Sequence, residues 1–137
     1  ARTFDGELAE TCRALDVPLL AFSPLAMAML CGKYRDGATP PDGRLTRFPD
    51  FGERYRRPRV REAVAEYLEV AARHGLSPTA LAIAFVRSRW FTASTIVGAT
   101  SVAQLEEQRA GYALELSAEV LADIAAVHAR YPSPTVF

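Results

Sequence analysis

Two short stretches of this sequence carry residues whose types and spacing suit binding chemistry. The first is "FSPLAMAMLCGKY", residues 22–34, where an apolar run breaks at Ser23-Pro24 and passes through small, soft residues to Lys33. Lys33 is the only lysine among 16 basic residues; every other one is arginine. An ammonium is a compact point charge on a flexible stem, a different phosphate partner from a planar guanidinium. The second stretch is "VGATSVAQLEEQ", residues 97–108. Gly98 permits close backbone approach, and a helix opening after Ser101 offers free N–H groups and a positive dipole to an anion. Gln104, Glu107 and Gln108 share one face of that helix by three- and four-residue spacing. Their amide and carboxylate groups could read the donors and acceptors of a purine ring.

Each feature has a plainer reading, and the residues alone leave both open. Ser23-Pro24 can simply end a strand, since the residue before proline favours extended geometry. Gly98-Ala99-Thr100-Ser101 can be a tight turn followed by a capped helix. Gln104, Glu107 and Gln108 can be a solvated face, and the single lysine can be chance in an arginine-biased composition. The two histidines are poor catalytic candidates. His74 falls at a helix C-terminus, where a cation suits the dipole, and His128 lies within a helix with no evident partner.

The elements that must position these residues follow from periodicity. Phe4, Leu8, Cys12 and Leu15 recur at helical spacing and predict a short amphipathic helix over 4–15. Residues 17–22 form a nearly continuous apolar run of strand length, which suits a parallel strand covered on both faces. Residues 35–58 are dense in proline, glycine and arginine and predict a long loop; loops beyond about 12–15 residues in compact domains are commonly functional. A helix is predicted over 59–74, with Val60, Val64, Tyr67, Leu68 and Ala71 as its buried stripe and Gly75 just past its end. Ser77 and Pro78 open a second helix, 78–89, apolar almost all round and therefore largely buried. "TASTIVGA", 92–99, reads as a second buried strand. Ser101 can cap a helix over 102–110, and Ser117 begins a last helix that ends near Tyr131.

Strands alternating with helices imply a parallel sheet with right-handed crossovers. Only two strands are convincing, and two parallel strands leave an open edge on each side. The chain therefore reads as part of something larger, marginal as a monomer. In parallel α/β architectures, ligand sites collect at the C-terminal ends of strands, where both chemistry-bearing stretches lie.

The totals bound the function classes. At 137 residues, 50% apolar and 23% charged, the chain is one domain of globular composition. Its formal net charge of zero predicts no general attraction to nucleic acid or anionic membrane. No apolar stretch reaches the roughly 20 residues of a membrane span, and the N-terminus does not read as a signal peptide. Cys12 and Cys31 have no metal-ligand or CxxC spacing and read as reduced, packed thiols, which suits a cytoplasmic protein.

In order and spacing, "FSPLAMAMLCGKY", "RHGLSPTALAIAFVRSRWFTASTIVGATSVAQLEEQ" and "LSAEVLADIAAVHARYPSP" resemble the C-terminal third of an aldo-keto reductase. The nearest subgroup is the bacterial NADP(H)-dependent kind related to potassium-channel β-subunits. The resemblance covers essentially the whole chain, 1–137, as one partial domain. It implies an incomplete (β/α)8 TIM barrel, with the strand at 17–22 as the seventh and that at 94–98 as the eighth. It also implies NADP(H) binding and carbonyl reduction by the complete family fold. Phe22, Ser23, Pro24, Leu25, Ala26 and Met27 match positions that line the nicotinamide and pyrophosphate path. Lys33 matches a position beside the pyrophosphate and Arg44 the family's loop arginine, so 35–58 becomes a mobile strap over the cofactor. Gly98, Thr100, Gln104, Glu107 and Gln108 match the positions that hold the 2′-phosphate, ribose and adenine. Two residues depart from the family pattern: Ala28 stands for the usual glycine and Gln108 for the usual asparagine.

The family's chemistry uses a tyrosine general acid with aspartate, lysine and histidine partners, all from the first half of the barrel. Tyr34, Tyr55, Tyr67, Tyr112 and Tyr131 match no such motif, and no metal site is expected. The resemblance thus implies a chain that does not reduce carbonyls alone. It is expected to be part of an NADPH-dependent reductase, a non-catalytic cofactor-binding module, or a structural remnant. Its expected partners are the missing N-terminal barrel half or a second copy, met through the open strand edges. A small carbonyl substrate belongs only to the full-length protein.

Overall fold

The computed structural model describes residues 2–135. Along the chain run α1 (Glu7–Ala14), β1 (Leu19–Phe22), α2 (Arg44–Arg47), α3 (Pro58–Arg73), α4 (Pro78–Arg87), β2 (Thr92–Ile96), α5 (Val102–Ala113) and α6 (Ala118–Arg130). Single 3₁₀ turns at Arg35–Gly37 and Glu53–Tyr55 flank α2. Helix starts follow their capping residues. Pro58 opens α3 one residue earlier than the apolar spacing alone predicts, because its fixed φ suits the first turn. Ser77, Ser101 and Ser117 each accept a hydrogen bond from the backbone N–H three residues on, capping α4, α5 and α6.

Two apolar clusters hold the helices. Val60, Val64 and Leu68 of α3 pack with Met29, Leu45 and Tyr55. Val70 and Ala71, on the next turns of α3, pack with Leu81 of α4 and Val120, Ile124 and Val127 of α6. Burying an aliphatic side chain of this size contributes about 1.5–3 kcal/mol, so these clusters are the stabilising centre. Ion pairs reinforce the α3–α6 contact: Asp123 accepts from Arg73 and His74 at 2.8 Å each, and Arg130 pairs with Glu66. His74 stands at the C-terminal end of α3, as the sequence predicts, and is engaged there by Asp123. Gly111 of α5 sits against α4 so closely that a Cβ would lie 2.7 Å from the Ala80 Cα.

The strands pair in parallel, with Leu20 opposite Ser94, Ala21 opposite Thr95 and Phe22 opposite Ile96. Leu19 pairs with Thr92, which leaves Ala93 as an extra residue on β2. This bulge breaks the alternation, and the neighbours Ala93 and Ser94 are both exposed.

Three expectations are corrected here. The strands are not covered on both faces: α4 packs against β2, but Leu20 is 59%, Phe22 72% and Ile96 53% exposed. Helix α1 begins only at Glu7, and of its apolar stripe Leu8 and Leu15 face solvent, with Ala9 buried instead. Segment 35–58, expected as a long loop, carries α2 and the two 3₁₀ turns, with Leu45 and Tyr55 packed in the first cluster. Apolar pattern reports the propensity to be buried, and among the described residues these surfaces stay exposed.

Candidate functional site

Parallel pairing with Phe22 opposite Ile96 brings both strands out at the same edge of the sheet. The turn after β1 therefore stands beside the turn after β2, as the ligand-site rule for parallel sheets requires.

The turn after β1 is built from unusual backbone. Ser23 has φ 55°, and Ala26, Met27 and Ala28 follow at 48°, 59° and 68°. Three successive non-glycine residues in the left-handed region cost about 1–2 kcal/mol each. Ala28 thus holds, at the cost of strain, a backbone conformation that favours glycine. The turn is closed by the Ala26 N–H donating to the Ser23 carbonyl and the Met29 N–H to that of Ala26. Among the described residues, the N–H groups of Leu25, Met27 and Ala28 donate to no backbone acceptor. Unpaired amides at a strand end are the groups that receive an anion's oxygens.

Beyond this turn, Lys33 is committed to a partner that the sequence reading missed. Its Nζ donates to Asp42 Oδ2 at 2.7 Å. That bond holds the ammonium above the usual lysine range, and the carboxyl of Asp42 below the usual carboxylate range. The only sequence signal was the Pro-Pro-Asp-Gly turn that carries Asp42. Arg35 reaches Glu69 of α3 at 2.9 Å, and the Leu45 N–H donates to the Tyr34 hydroxyl at 2.9 Å. Arg44, exposed at the start of α2, lies over the Phe51 ring, 5.3 Å from its centroid. Segment 35–58 meets the left-handed turn along an open cleft of about 240 Å³ lined by Met27, Phe51, Gly52, Glu53, Arg54 and Tyr55.

The turn after β2 is organised by side chains. Gln104 Oε1 accepts from the Thr100 N–H at 2.9 Å and from its hydroxyl at 3.2 Å, while Ser101 Oγ accepts from the Gln104 N–H. This is a variant of the capping box, with the glutamine reaching one residue beyond the cap. Gln108, only 4% exposed, donates to the Gly98 carbonyl at 3.0 Å, and its buried Oε1 has no partner. Glu107 accepts from Ser77 Oγ, tying α5 to the start of α4. The plain reading of this stretch as a tight turn with a capped helix thus holds in the geometry. The amides of Val102 and Ala103, in the first turn of α5, donate to no backbone acceptor among the described residues.

Thr100 with Gln104 and Gly98 with Gln108 therefore form two separate hydrogen-bonded pairs, with Glu107 directed to α4. Phe22 to Met27 lie at the turn after β1, Lys33 follows that turn, and Arg44 lies in segment 35–58. No group of three metal-ligating side chains occurs among the described residues, and none of their helices is long and apolar enough to cross a membrane.

Residues 2–129 match the Aldo/keto reductase family. The chain is 46% identical over 133 residues to "Protein tas" of Escherichia coli K12, covering 97% of this chain but 38% of that protein. Over 93 residues it is 34% identical to a protein of Arabidopsis thaliana named as a probable voltage-gated potassium channel subunit beta, covering 66% of this chain and 28% of that protein. A glycerol dehydrogenase from Gluconobacter oxydans superposes with a TM-score of 0.72 at 21% identity, covering 96% of this chain and 40% of that structure. At that identity the likeness speaks for the fold: a two-stranded α/β portion of the kind an incomplete barrel presents. The chain belongs to the aldo/keto reductase family and spans well under half the length of the relatives it matches.

Proposed function

We propose that this chain is the C-terminal, NADP(H)-binding part of an aldo-keto reductase, with β1 and β2 as the seventh and eighth strands of a (β/α)8 barrel. The observation that carries the reading is the pairing of Phe22 with Ile96, which sets residues 23–28 beside residues 98–103 with unpaired amides on both. The amides of the left-handed turn suit the pyrophosphate, with Lys33 as its cationic partner. The amides of Val102 and Ala103 suit the 2′-phosphate at a helix N-terminus. Thr100 and Gln104 border the adenosine side. Gln108 acts from beneath, holding the Gly98 carbonyl in place. A bound dinucleotide supplies the hydride; these residues supply position and charge.

The chain carries no motif for the family's tyrosine, aspartate, lysine and histidine, so reduction of an aldehyde or ketone requires the rest of the barrel. Titrating the chain with NADPH and NADH tests the reading. NADPH should bind and NADH should bind more weakly, because the 2′-phosphate is lost. Absence of binding, or equal affinity for both, overturns it.

The exposed Leu20, Phe22 and Ile96 favour a second reading, a non-catalytic module that self-associates through its open strand edges. Light scattering separates the two. A stable dimer that binds neither cofactor supports the module, and a monomer that binds NADPH supports the barrel portion.

A further inference from the structure

We propose that Asp42 competes with the pyrophosphate of a bound dinucleotide for the Lys33 ammonium, so that this carboxylate tunes cofactor affinity; the inference rests on Lys33 being a pyrophosphate contact. The two partners of the pair are unequally exposed. The Lys33 side chain is 25% exposed and that of Asp42 is 74% exposed. The lysine is held in the fold, and the carboxylate is the partner free to give way.

The backbone fixes where Asp42 stands. It follows Pro40-Pro41 and precedes Gly43, where a Cβ would lie 2.7 Å from the Tyr34 hydroxyl and 2.9 Å from the Pro40 carbonyl. The Leu45 N–H to Tyr34 hydroxyl bond closes the same loop. The tight loop thus sets the Asp42 backbone beside Lys33 and leaves its exposed carboxylate able to turn away. Lys33 has no other acidic partner among the described residues, so a pyrophosphate oxygen that takes the ammonium must displace Asp42 or share it. Asp42's own charge opposes sharing. An exposed pair of this kind contributes little, so its loss should change affinity only about one-and-a-half- to fivefold.

The test compares Asp42→Asn and Asp42→Ser with the unchanged chain in titrations with NADPH, inorganic pyrophosphate and adenosine 2′,5′-bisphosphate, which lacks the pyrophosphate. Both variants should bind NADPH and pyrophosphate more tightly by that factor and adenosine 2′,5′-bisphosphate unchanged. Asp36→Asn, which removes an acid elsewhere on the strap, should change none of the three. Unchanged or weaker NADPH binding by both Asp42 variants overturns the competition and makes Asp42 a residue that positions Lys33. Equal tightening of all three ligands also overturns it, in favour of a general charge effect. If Lys33→Met binds NADPH as the unchanged chain does, the reading of Lys33 itself falls, which is distinguishable from failure of the Asp42 step alone.

Discussion

The turn after β1 and the turn after β2 leave the same sheet edge and are held by opposite means. The first is a run of left-handed backbone, Ala26 to Ala28, with open amides and no side chain folded back onto it except the Cys31 thiol, which donates to the Ala28 carbonyl. The second is closed by Thr100, Ser101, Gln104 and Gln108. One end stores strain and keeps donors free; the other spends its polar side chains on its own stability. Substitutions should therefore act with opposite sign on the two.

The largest effect is expected near the far end of α5, the helix that the second turn opens. Gly111→Ala drives a methyl into the Ala80 backbone and should destabilise the chain by about 1–3 kcal/mol, read as a lower denaturant midpoint. Gln108→Asn restores the family's usual residue but shortens the amide away from the Gly98 carbonyl. It should cost about 1 kcal/mol, and a neutral result would mean that the turn is held by its cap alone. Ser101→Ala removes that cap and should also cost about 1 kcal/mol in thermal or denaturant unfolding. At the first turn the sign reverses. Ala28→Gly should stabilise by somewhat less than 1 kcal/mol, because relief of the φ of 68° exceeds the added unfolded-state entropy. A loss there would break the contrast.

The smallest effect lies outside both turns. Burial, then the nearby Arg2 charge, depress the pKa of His128 below the ordinary value of about 6.5. Its proton binds the unfolded chain more tightly than the folded one. Stability from this group is therefore complete above the unfolded value and declines as pH falls through it toward the folded one. His128→Gln should flatten the stability profile in that window, and an unaltered slope would assign it elsewhere.

This contrast also explains what was legible in the sequence. Side-chain caps are written in residue types, so Ser77, Ser101 and Ser117 marked their helices, and the helix over 102–110 was short only at its end. Backbone strain is not written in residue types. Nothing in "LAMAM" announces positive φ, and Ala28 stood out only against the glycine that the family resemblance supplied. Ion pairs between distant segments were equally hidden: the partners of Lys33 and His74 lie nine and 49 residues away. The apolar runs at 17–22 and 92–99 named the strands correctly and misstated their exposure. Periodicity describes what a strand could bury, and among the described residues Leu20, Phe22 and Ile96 remain exposed.

The pairing of Leu20 with Ser94 joins strands roughly seventy residues apart in sequence. Closing a chain segment of that length costs about 4 kcal/mol of entropy by the logarithmic loop law, before any contact is gained. The helices meet mostly as sequence neighbours, α4 with α5 and α3 with α4. The α3–α6 contact spans a comparable sequence distance, so on this topology the contacts of α4 with α3 and α5 should form before both it and the two-stranded sheet. The amides of Leu19 and Ala21, which face β2, should accordingly lose protection against hydrogen exchange before that of Ile83, so the edge that carries the candidate site residues should open before the buried face of α4.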